Sequence, residues 1–413
     1  MRVLNVNKYF YQRAGAETAY FNLTRLLESR GHEVVPFAMQ HPENESTPWD
    51  RFFPSQVEFR APGSLMEKGK RALRVIYSKE ARDCLRRLLQ EAKPDVAHLH
   101  NIAHQLSPSI LDALREADVP VVQTLHDYKL TCPVYTHRTG GAICERCKGS
   151  RFYQCTIHRC NGRSFAMSLT NTLETTWHHW RGSYDTVDVF LCPSTFLVAK
   201  CLEFGFERER LAWVPHFVFA EDYEPHPEPG EYVLYAGRLA EEKGVRTLLR
   251  AHAKADDVHL VLAGDGPLRA ELESFVRKQG LGERTEFRGH LRGEEYEQVW
   301  REAAFLVLPS EWYEVRPMVI HEAYARGKPV LTTRVGTIPE IVQENETGLL
   351  FPPGDEIALR DAMLTLLSSK DRLEAMGRKA RRYVEEELTP ERHATALEEA
   401  YQRAQQRHPG APA

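Results

Sequence analysis

Long apolar stretches are what this sequence most conspicuously lacks. No run approaches the roughly 18–20 residues that a membrane-spanning helix needs. The opening MRVLNVNKYFYQ has no long apolar region of the kind that begins a secretory leader. A cytoplasmic protein is the expectation. Net charge is also scarce. The 54 Lys and Arg stand against 58 Asp and Glu, a formal balance of −4, which disfavours a chain-wide nucleic-acid surface. The turn AGDGPLR does not carry the G-x-G-x-x-G fingerprint of dinucleotide sites, so a nicotinamide or flavin enzyme is disfavoured. No convincing nucleophile–base pair is found, which leaves covalent catalysis without a candidate.

What is present describes a globular chain of more than one domain. It has 413 residues, 42% hydrophobic and 27% charged, enough apolar material for real cores. The pattern of RVLNVN, a loop, a helical stretch over residues 18–29, Gly31 and HEVVPFAM reads as strand, helix, stop, strand. One long basic helix is expected over residues 66–90, then the strands DVAHLHN and VPVVQTLHD. A cysteine-rich stretch at 132–162 interrupts the alternation. It resumes with a helix near 164–182 and the strands DVFLCPS and LAWVPH. The segment FVFAEDYEPHPEPGE, 217–231, is rich in proline and acids and reads as a linker. A regular series follows, in which YVLYAGR, VHLVLAGDG, TEFRGHL, AFLVLPS and KPVLTT are strands separated by helices. The fold class is therefore α/β, with two Rossmann-like, doubly wound parallel sheets of about 200 residues each facing across a cleft. The domains are 1–216, containing the cysteine-rich insertion; 217–231, the linker; 232–389; and 390–413, a helix and tail for which a return to the first domain is one open course.

Ligands of such sheets sit beyond the C-terminal strand ends. In GRLAEEKG, Arg238 and Lys243 flank a helix start at Gly244, where unpaired amides and two cations suit a diphosphate. Solvated surface cations are the alternative. In AGDGPLR, Gly264 and Gly266 permit close backbone approach by a ligand. In EWYEVRPMVIHE, Glu314 lies in the exit loop of AFLVLPS, and Pro317 is expected to open a helix that carries Glu322. Eight helical residues span ~12 Å, too far for one carboxylate dyad. Two carboxylates so placed suit opposite ends of one polyhydroxylated ligand.

The stretch PSEWYEVRPMVIHEAYARGKPVLTTRVGTIPEIVQENETGLLFPPGD resembles the signature block of the retaining GT-B glycosyltransferases of sequence family 4. GRLAEEKG and AGDGP resemble its two upstream motifs. AGAE at 14–17, DVAHLHN, TLHDYKLTCP and CPSTFLVAKCLEFG are similar to its N-terminal half. The resemblance implies transfer of a sugar from a nucleotide-diphosphate-sugar to a hydroxyl of a saccharide or lipid-linked acceptor, with retention and with no cofactor or metal needed for catalysis. It implies that Arg238 and Lys243 hold the donor diphosphate, that Glu322 binds the ribose, and that Glu314 sits near the transferred sugar. It places the backbone of Val315, Arg316, Pro317 and Met318 at sugar and phosphate, Gly266 and the stretch from Arg288 to Leu291 at the nucleobase, Gly15 under the phosphates, and His126 at the sugar. Cell-surface polysaccharide or glycolipid synthesis is the implied setting. The sequence departs from the family where Val315-Arg316-Pro317 replaces the common Gly-Phe-Gly or Gly-Phe-Pro, which adds a cation near the sugar, and where PHF at 215–217 replaces PNG. Two rivals stay open: a nucleotide-sugar epimerase of similar shape, and an inactive nucleotide-binding homologue.

Five of the eight cysteines fall between positions 132 and 160. Cys132, Cys144, Cys147 and Cys160 could form a four-thiolate structural zinc site. Reduced cysteines packing a loop are the alternative. His98, His100 and His104 are candidates either for ligation or for local hydrogen bonding. The basic face of helix 66–87 could approach anionic lipid at the inner membrane face, or be a solvated surface.

Overall fold

The computed structural model describes residues 1–58 and 64–408. It contains two compact units: residues 1–137, 144–215 and 393–413 form the first, and 138–143 with 216–392 the second. The strands in chain order are β1 (Arg2–Val6), β2 (Glu33–Phe37), β3 (Val96–Leu99), β4 (Val121–Thr124), the hairpin pair β5 (Arg138–Thr139) and β6 (Ala142–Ile143), β7 (Val189–Cys192), β8 (Leu211–Trp213), β9 (Tyr232–Ala236), β10 (Leu260–Ala263), β11 (Thr285–Gly289), β12 (Ala303–Leu308), β13 (Val330–Thr333) and β14 (Gly348–Phe351).

The first unit holds a six-stranded parallel sheet in the order β2-β1-β3-β4-β7-β8. The strand order reverses between β1 and β3, so their exit loops diverge and open a crevice at their C-terminal ends. One face of this sheet packs Val3, Val96, Val122 and Val189 against Leu23 and Leu27 of helix Gly15–Ser29 and against Leu397, Ala400, Tyr401 and Ala404 of helix Pro390–Arg407. The last helix thus begins in the second unit and from His393 onward belongs to the first.

The second unit holds another six-stranded parallel sheet, in the order β11-β10-β9-β12-β13-β14. Here the order reverses between β9 and β12, where Leu234 lies opposite Leu306 on one side and Val261 on the other. β12 reads AAFLVL and all six residues are buried. Such an unbroken apolar run is what a strand covered by helices on both faces requires. Trp300 and Tyr324 fill one side of the sheet, and Leu248, Leu359 and Met363 the other.

The structure differs from the sequence-based expectation at four places. The helix expected over 66–90 is two helices, Leu65–Ile76 and Lys79–Ala92. Tyr77 is extended, and Ser78 caps the second helix by accepting from Ala81 N. The segment 217–231 runs along the second unit rather than spanning open space. Val218 N donates to Leu388 O, Gly230 N to Ala303 O, and the buried Lys328 ammonium to Glu228 O. Its aromatic start is the reason, since Phe217, Val218 and Phe219 are all buried. Pro317 is the residue before helix Met318–Ala325, not its first. Finally, β14 and helices Glu356–Leu367 and Lys370–Glu387 complete the second unit beyond the elements read from sequence. Among the described residues no helix is long and apolar enough to cross a membrane.

Candidate functional site

The exit loops of β9 and β12 leave neighbouring strands at the second sheet's reversal point, and they are tied together. Gly244 stands at φ +67°, and a Cβ there would come within 1.9 Å of Pro309 O. Only glycine allows this close crossing. Glu311 N donates to Glu242 O, and Glu311 accepts from Thr247 Oγ1 at 2.5 Å and from Arg138 at 3.2 Å. Arg138 comes from β5 of the cysteine-rich stretch, and its guanidinium also pairs with Glu241.

Within this frame Lys243 and Glu314 meet. Lys243 Nζ lies 2.7 Å from Glu314 Oε1 and 5.1 Å from the centre of the Trp312 ring. Ser310 Oγ donates to the same carboxylate oxygen at 2.6 Å. Glu314 is only 4% exposed, so the pair is held in a low-dielectric setting where a charge-assisted hydrogen bond is strengthened. Arg238 is different. Its side chain is 59% exposed and stands 4.0 Å from Glu242. Its backbone carbonyl is fixed by the Tyr235 hydroxyl at 2.7 Å.

Glu322 sits in the second turn of helix Met318–Ala325 and is partly buried. Burial pushes its carboxyl up from the usual range, against the pull of Arg326. Tyr296 OH donates to its Oε2 at 3.0 Å. Arg326 itself is bidentate to Glu297 and lies over the rings of Tyr223, Tyr296 and Trp300. Between the two glutamates, Val315, Arg316, Pro317 and Met318 are all buried. Arg316 is 8% exposed, hydrogen-bonded to Tyr383 and near Glu340. The cation that stands where the resembling family commonly has phenylalanine is therefore lodged in the interior. Gly266 packs on the neighbouring loop, because a Cβ would lie 2.4 Å from Leu239 O. Arg288, on β11, is exposed and paired with Glu286 at 2.7 Å, and Leu291 is packed at the edge of the core.

In the first unit the exit loops of β1, β3 and β4 gather Lys8, His100 and His126. A hydrogen-bonded chain joins the two histidines to the strand interior. The Thr24 hydroxyl donates to Tyr20 O at 3.1 Å, so its oxygen accepts from Asn5 Nδ2 at 2.9 Å. That orients Asn5 Oδ1 toward His100 Nε2, 3.0 Å away. His100 Nδ1 is then an acceptor, and at 2.7 Å it accepts a hydrogen bond from His126 Nε2–H. The network thus assigns His126 the tautomer whose Nδ1 carries the lone pair. Burial, with the Lys8 ammonium nearby, pushes the His126 imidazole down to about 3, so it is neutral near pH 7. Gly15 is the first residue of helix Gly15–Ser29.

His98, His100 and His104 take the local hydrogen-bonding course. His98 bonds Tyr401 OH and Thr124 Oγ1, and His104 lies 3.4 Å from the buried Glu174, which Lys129 also holds. The cysteines of the insertion gather closely enough to act on one another. Burial and then the neighbouring Cys132, Cys144 and Cys160 push Cys147 up to about 12. Backbone amides of His137, Val134 and Thr136 donate to the Cys132 sulfur. Among the described residues, however, no group of three or more His, Cys, Asp or Glu side chains is arranged to hold a metal ion. Cys132, Cys144, Cys147 and Cys160 are near one another without forming a ligand set. Three cations of the basic face of 66–87 are ion-paired in place: Arg74 with Glu80, Arg82 with Asp83, and Arg86 with Asp83 and Glu116.

Sequence reading missed Asn5, Ser310, Tyr296 and Arg138. A polar Asn5 inside the apolar strand RVLNVN, and two histidines two apart in HLH, were the available signals. Arg138 gave none.

Comparison with known proteins bears on both units. The sequence model described as Glycosyltransferase Family 4 matches residues 13–221, and that described as Glycosyl transferases group 1 matches 220–383. The sulfoquinovosyl transferase of Arabidopsis thaliana is 34% identical over 156 residues, 37% of this chain and 30% of that protein. The alpha-D-kanosaminyltransferase of Streptomyces kanamyceticus is 32% identical over 152 residues, 36% and 39% of the two chains. The matches thus span well under half of these relatives. Among solved structures, sucrose-phosphate synthase from Thermosynechococcus elongatus superposes with a TM-score of 0.70 at 19% identity, covering 97% of this chain and 98% of that one. Anabaena HepE in complex with UDP-glucose gives 0.64 at 16% identity, covering 97% and 99%. At these identities the likenesses speak for the fold, and it is the GT-B fold of two parallel-sheet Rossmann-like units.

Proposed function

The chain belongs to Glycosyltransferase Family 4, and from that premise we propose that it moves a sugar from a nucleotide-diphosphate-sugar to a hydroxyl of a saccharide or lipid-linked acceptor, with retention at the anomeric carbon. The observation that carries this reading is the Lys243–Glu314 pair on the loops leaving β9 and β12, where parallel sheets of this order bind their ligands. A neighbour solved with UDP-glucose supports a nucleotide-sugar donor.

In this reading Lys243 and the exposed Arg238 neutralise the diphosphate as it leaves. Glu322, already steadied by Tyr296, accepts the ribose hydroxyls. Glu314 holds Lys243 in position and meets the transferred sugar. His126, neutral and with its Nδ1 as acceptor, takes a hydrogen bond from a sugar hydroxyl. Gly266, Arg288 and Leu291 flank the nucleobase, the backbone from Val315 to Met318 lies along sugar and phosphate, and Gly15 faces the phosphates. The acceptor's proton passes to the leaving phosphate oxygen, so the protein's work is positioning and charge stabilisation. Catalysis then needs no metal. A structural zinc at Cys132, Cys144, Cys147 and Cys160 rests on their spacing and proximity alone, and metal analysis of the purified chain decides it. Cell-surface polysaccharide or glycolipid synthesis in the cytoplasm is the setting this reading favours.

The test is a panel of nucleotide-sugars, with and without acceptors, following release of nucleoside diphosphate. Acceptor-dependent release from at least one donor is expected. Tight nucleoside diphosphate binding with no release from any donor would instead identify an inactive homologue, and epimerised donor would identify the epimerase.

A further inference from the structure

Helix Phe165–Trp180 carries an apolar face that the fold does not cover. Leu173, Trp177 and Trp180, spaced by four and three residues, are 51%, 44% and 77% exposed. That spacing puts them on one side of a helix. The two indoles lie 5.7 Å apart. Phe165, at the start of the helix, is 55% exposed. Two neighbours packed against this helix add more of the same kind: Ile157, at the end of helix Gln154–Ile157, and Leu73 of helix Leu65–Ile76, 64% and 68% exposed. Exposed apolar side chains are ordinary when scattered. A cluster containing two tryptophans is not.

The segment that leads into this helix carries charge of one sign, although Lys148 pairs with Glu203 and the exposed Glu67 and Asp185 lie on elements packed beside the helix. Residues 146–173 contain five Lys and Arg and not one Asp or Glu, in a chain whose net charge is −4. Arg151, Arg159 and Arg163 are exposed, and none has an ion-pair partner among the described residues. The single acid on the helix, Glu174, is 1% exposed and bonded to Lys129, so it offers no negative charge to the surface. This contrasts with the ion-paired Arg74, Arg82 and Arg86.

From this combination we propose that the face formed by helix Phe165–Trp180 and its flanking arginines docks on an anionic lipid surface, with Trp177 and Trp180 seated at the headgroup level. Tryptophan prefers that level because its ring is apolar and its N–H polar. Exposed cations without an ion-pair partner are drawn to anionic headgroups and held there more firmly at low salt. A second copy of the chain is a poorer occupant, because a two-fold pairing of this face would bring like-charged arginines together. The inference does not depend on the sugar-transfer reading and is tested without activity.

The full chain is co-sedimented with vesicles of phosphatidylcholine alone and of phosphatidylcholine mixed with phosphatidylglycerol, at low and high salt. Pelleting with the anionic vesicles only, falling at high salt, is expected. The double variant Trp177→Ser/Trp180→Ser should lower the bound fraction about tenfold, and Arg159→Glu/Arg163→Glu should abolish the preference for anionic vesicles. Both alter exposed side chains, and thermal melting confirms that each variant folds. The proposal is overturned if the wild type pellets equally with both vesicle types or with neither, or if the variants bind as wild type does. It is equally overturned if sedimentation velocity shows a dimer that the tryptophan variant dissolves, which would make this face a self-association surface.

Discussion

Lys243 Nζ stands 2.7 Å from Glu314 Oε1, and the two residues leave adjacent strands, β9 and β12, where the strand order of the second sheet reverses. The carboxylate is buried and also takes the Ser310 hydroxyl, so the ammonium is aimed rather than merely present. Lys243→Ala should therefore raise the donor KM and lower kcat/KM by about 100-fold, with Lys243→Arg recovering part of the loss. Glu314→Gln should lower kcat more than it raises KM. Steady-state kinetics on the donor found in the panel checks both, and wild-type kinetics in either variant would remove the pair from the site.

Glu322 is the ribose candidate. Hydrogen bonds to a charged group contribute about 1.5–3 kcal/mol, so Glu322→Ala should weaken nucleoside diphosphate binding roughly 10- to 100-fold. Tyr296→Phe, which removes only the hydroxyl that holds the carboxylate, should cost less. Titration calorimetry reads both, and unchanged affinity in Glu322→Ala sinks the assignment.

The chain from Thr24 through Asn5 and His100 to His126 sets a tautomer. Asn5→Leu removes the acceptor that fixes His100, and kcat should fall about tenfold or more while donor affinity changes little. Nitrogen-15 NMR of the imidazoles gives a readout that a purely structural role would not move: His126 should be protonated on Nε2 in the wild type and mixed in the variant.

Buried histidines make the fold acid-sensitive. Burial pushes His252 and His393 down to about 4, and His98 well below its usual value. Above the unfolded value of about 6.5 both states are neutral and these groups add no pH dependence. Between about 6.5 and 4 the unfolded chain takes up protons that the folded chain refuses, so stability falls as pH falls, by at most about 1.4 kcal/mol per histidine per pH unit. Melting temperature should be flat just above pH 7 and drop below about 6.5. A flat profile down to pH 5 contradicts this.

Arg316 is lodged beside Tyr383 with its guanidinium buried. Arg316→Ala should cost about 1–3 kcal/mol of stability by orphaning buried partners, while the order of preference among donors stays as in the wild type. A changed donor preference at unchanged stability would return Arg316 to the sugar.

The second sheet was readable because its strands are short, continuous apolar runs bounded by glycine, and parallel sheets demand that pattern. β14, GLLF, was not, because two of its residues are only half-buried and it lies at the edge. The break at Tyr77 was hidden because a basic amphipathic pattern runs on through it, and only the Ser78 cap marks it. At the site, Lys243 and Glu314 were legible one by one from motif and loop position. Their pairing was not, since contacts between residues 71 apart depend on how the two loops cross. Arg316 reads in sequence as a cation near the sugar, where nothing signals that Tyr383 and Glu340 will receive it.

Tyr401 bonds His98 across 303 residues of chain and is buried with Val3, Val96 and Val122. This has a consequence for the order of synthesis. Strands made first wait for a helix made almost last, while the core of the second unit is complete by its own last long helix, Lys370–Glu387. Domains commonly fold as units from the N-terminus during translation. Here the first-made unit is the last to close, so a nascent chain stopped before Pro390 should be cut by protease in its first 215 residues and resist within the second unit.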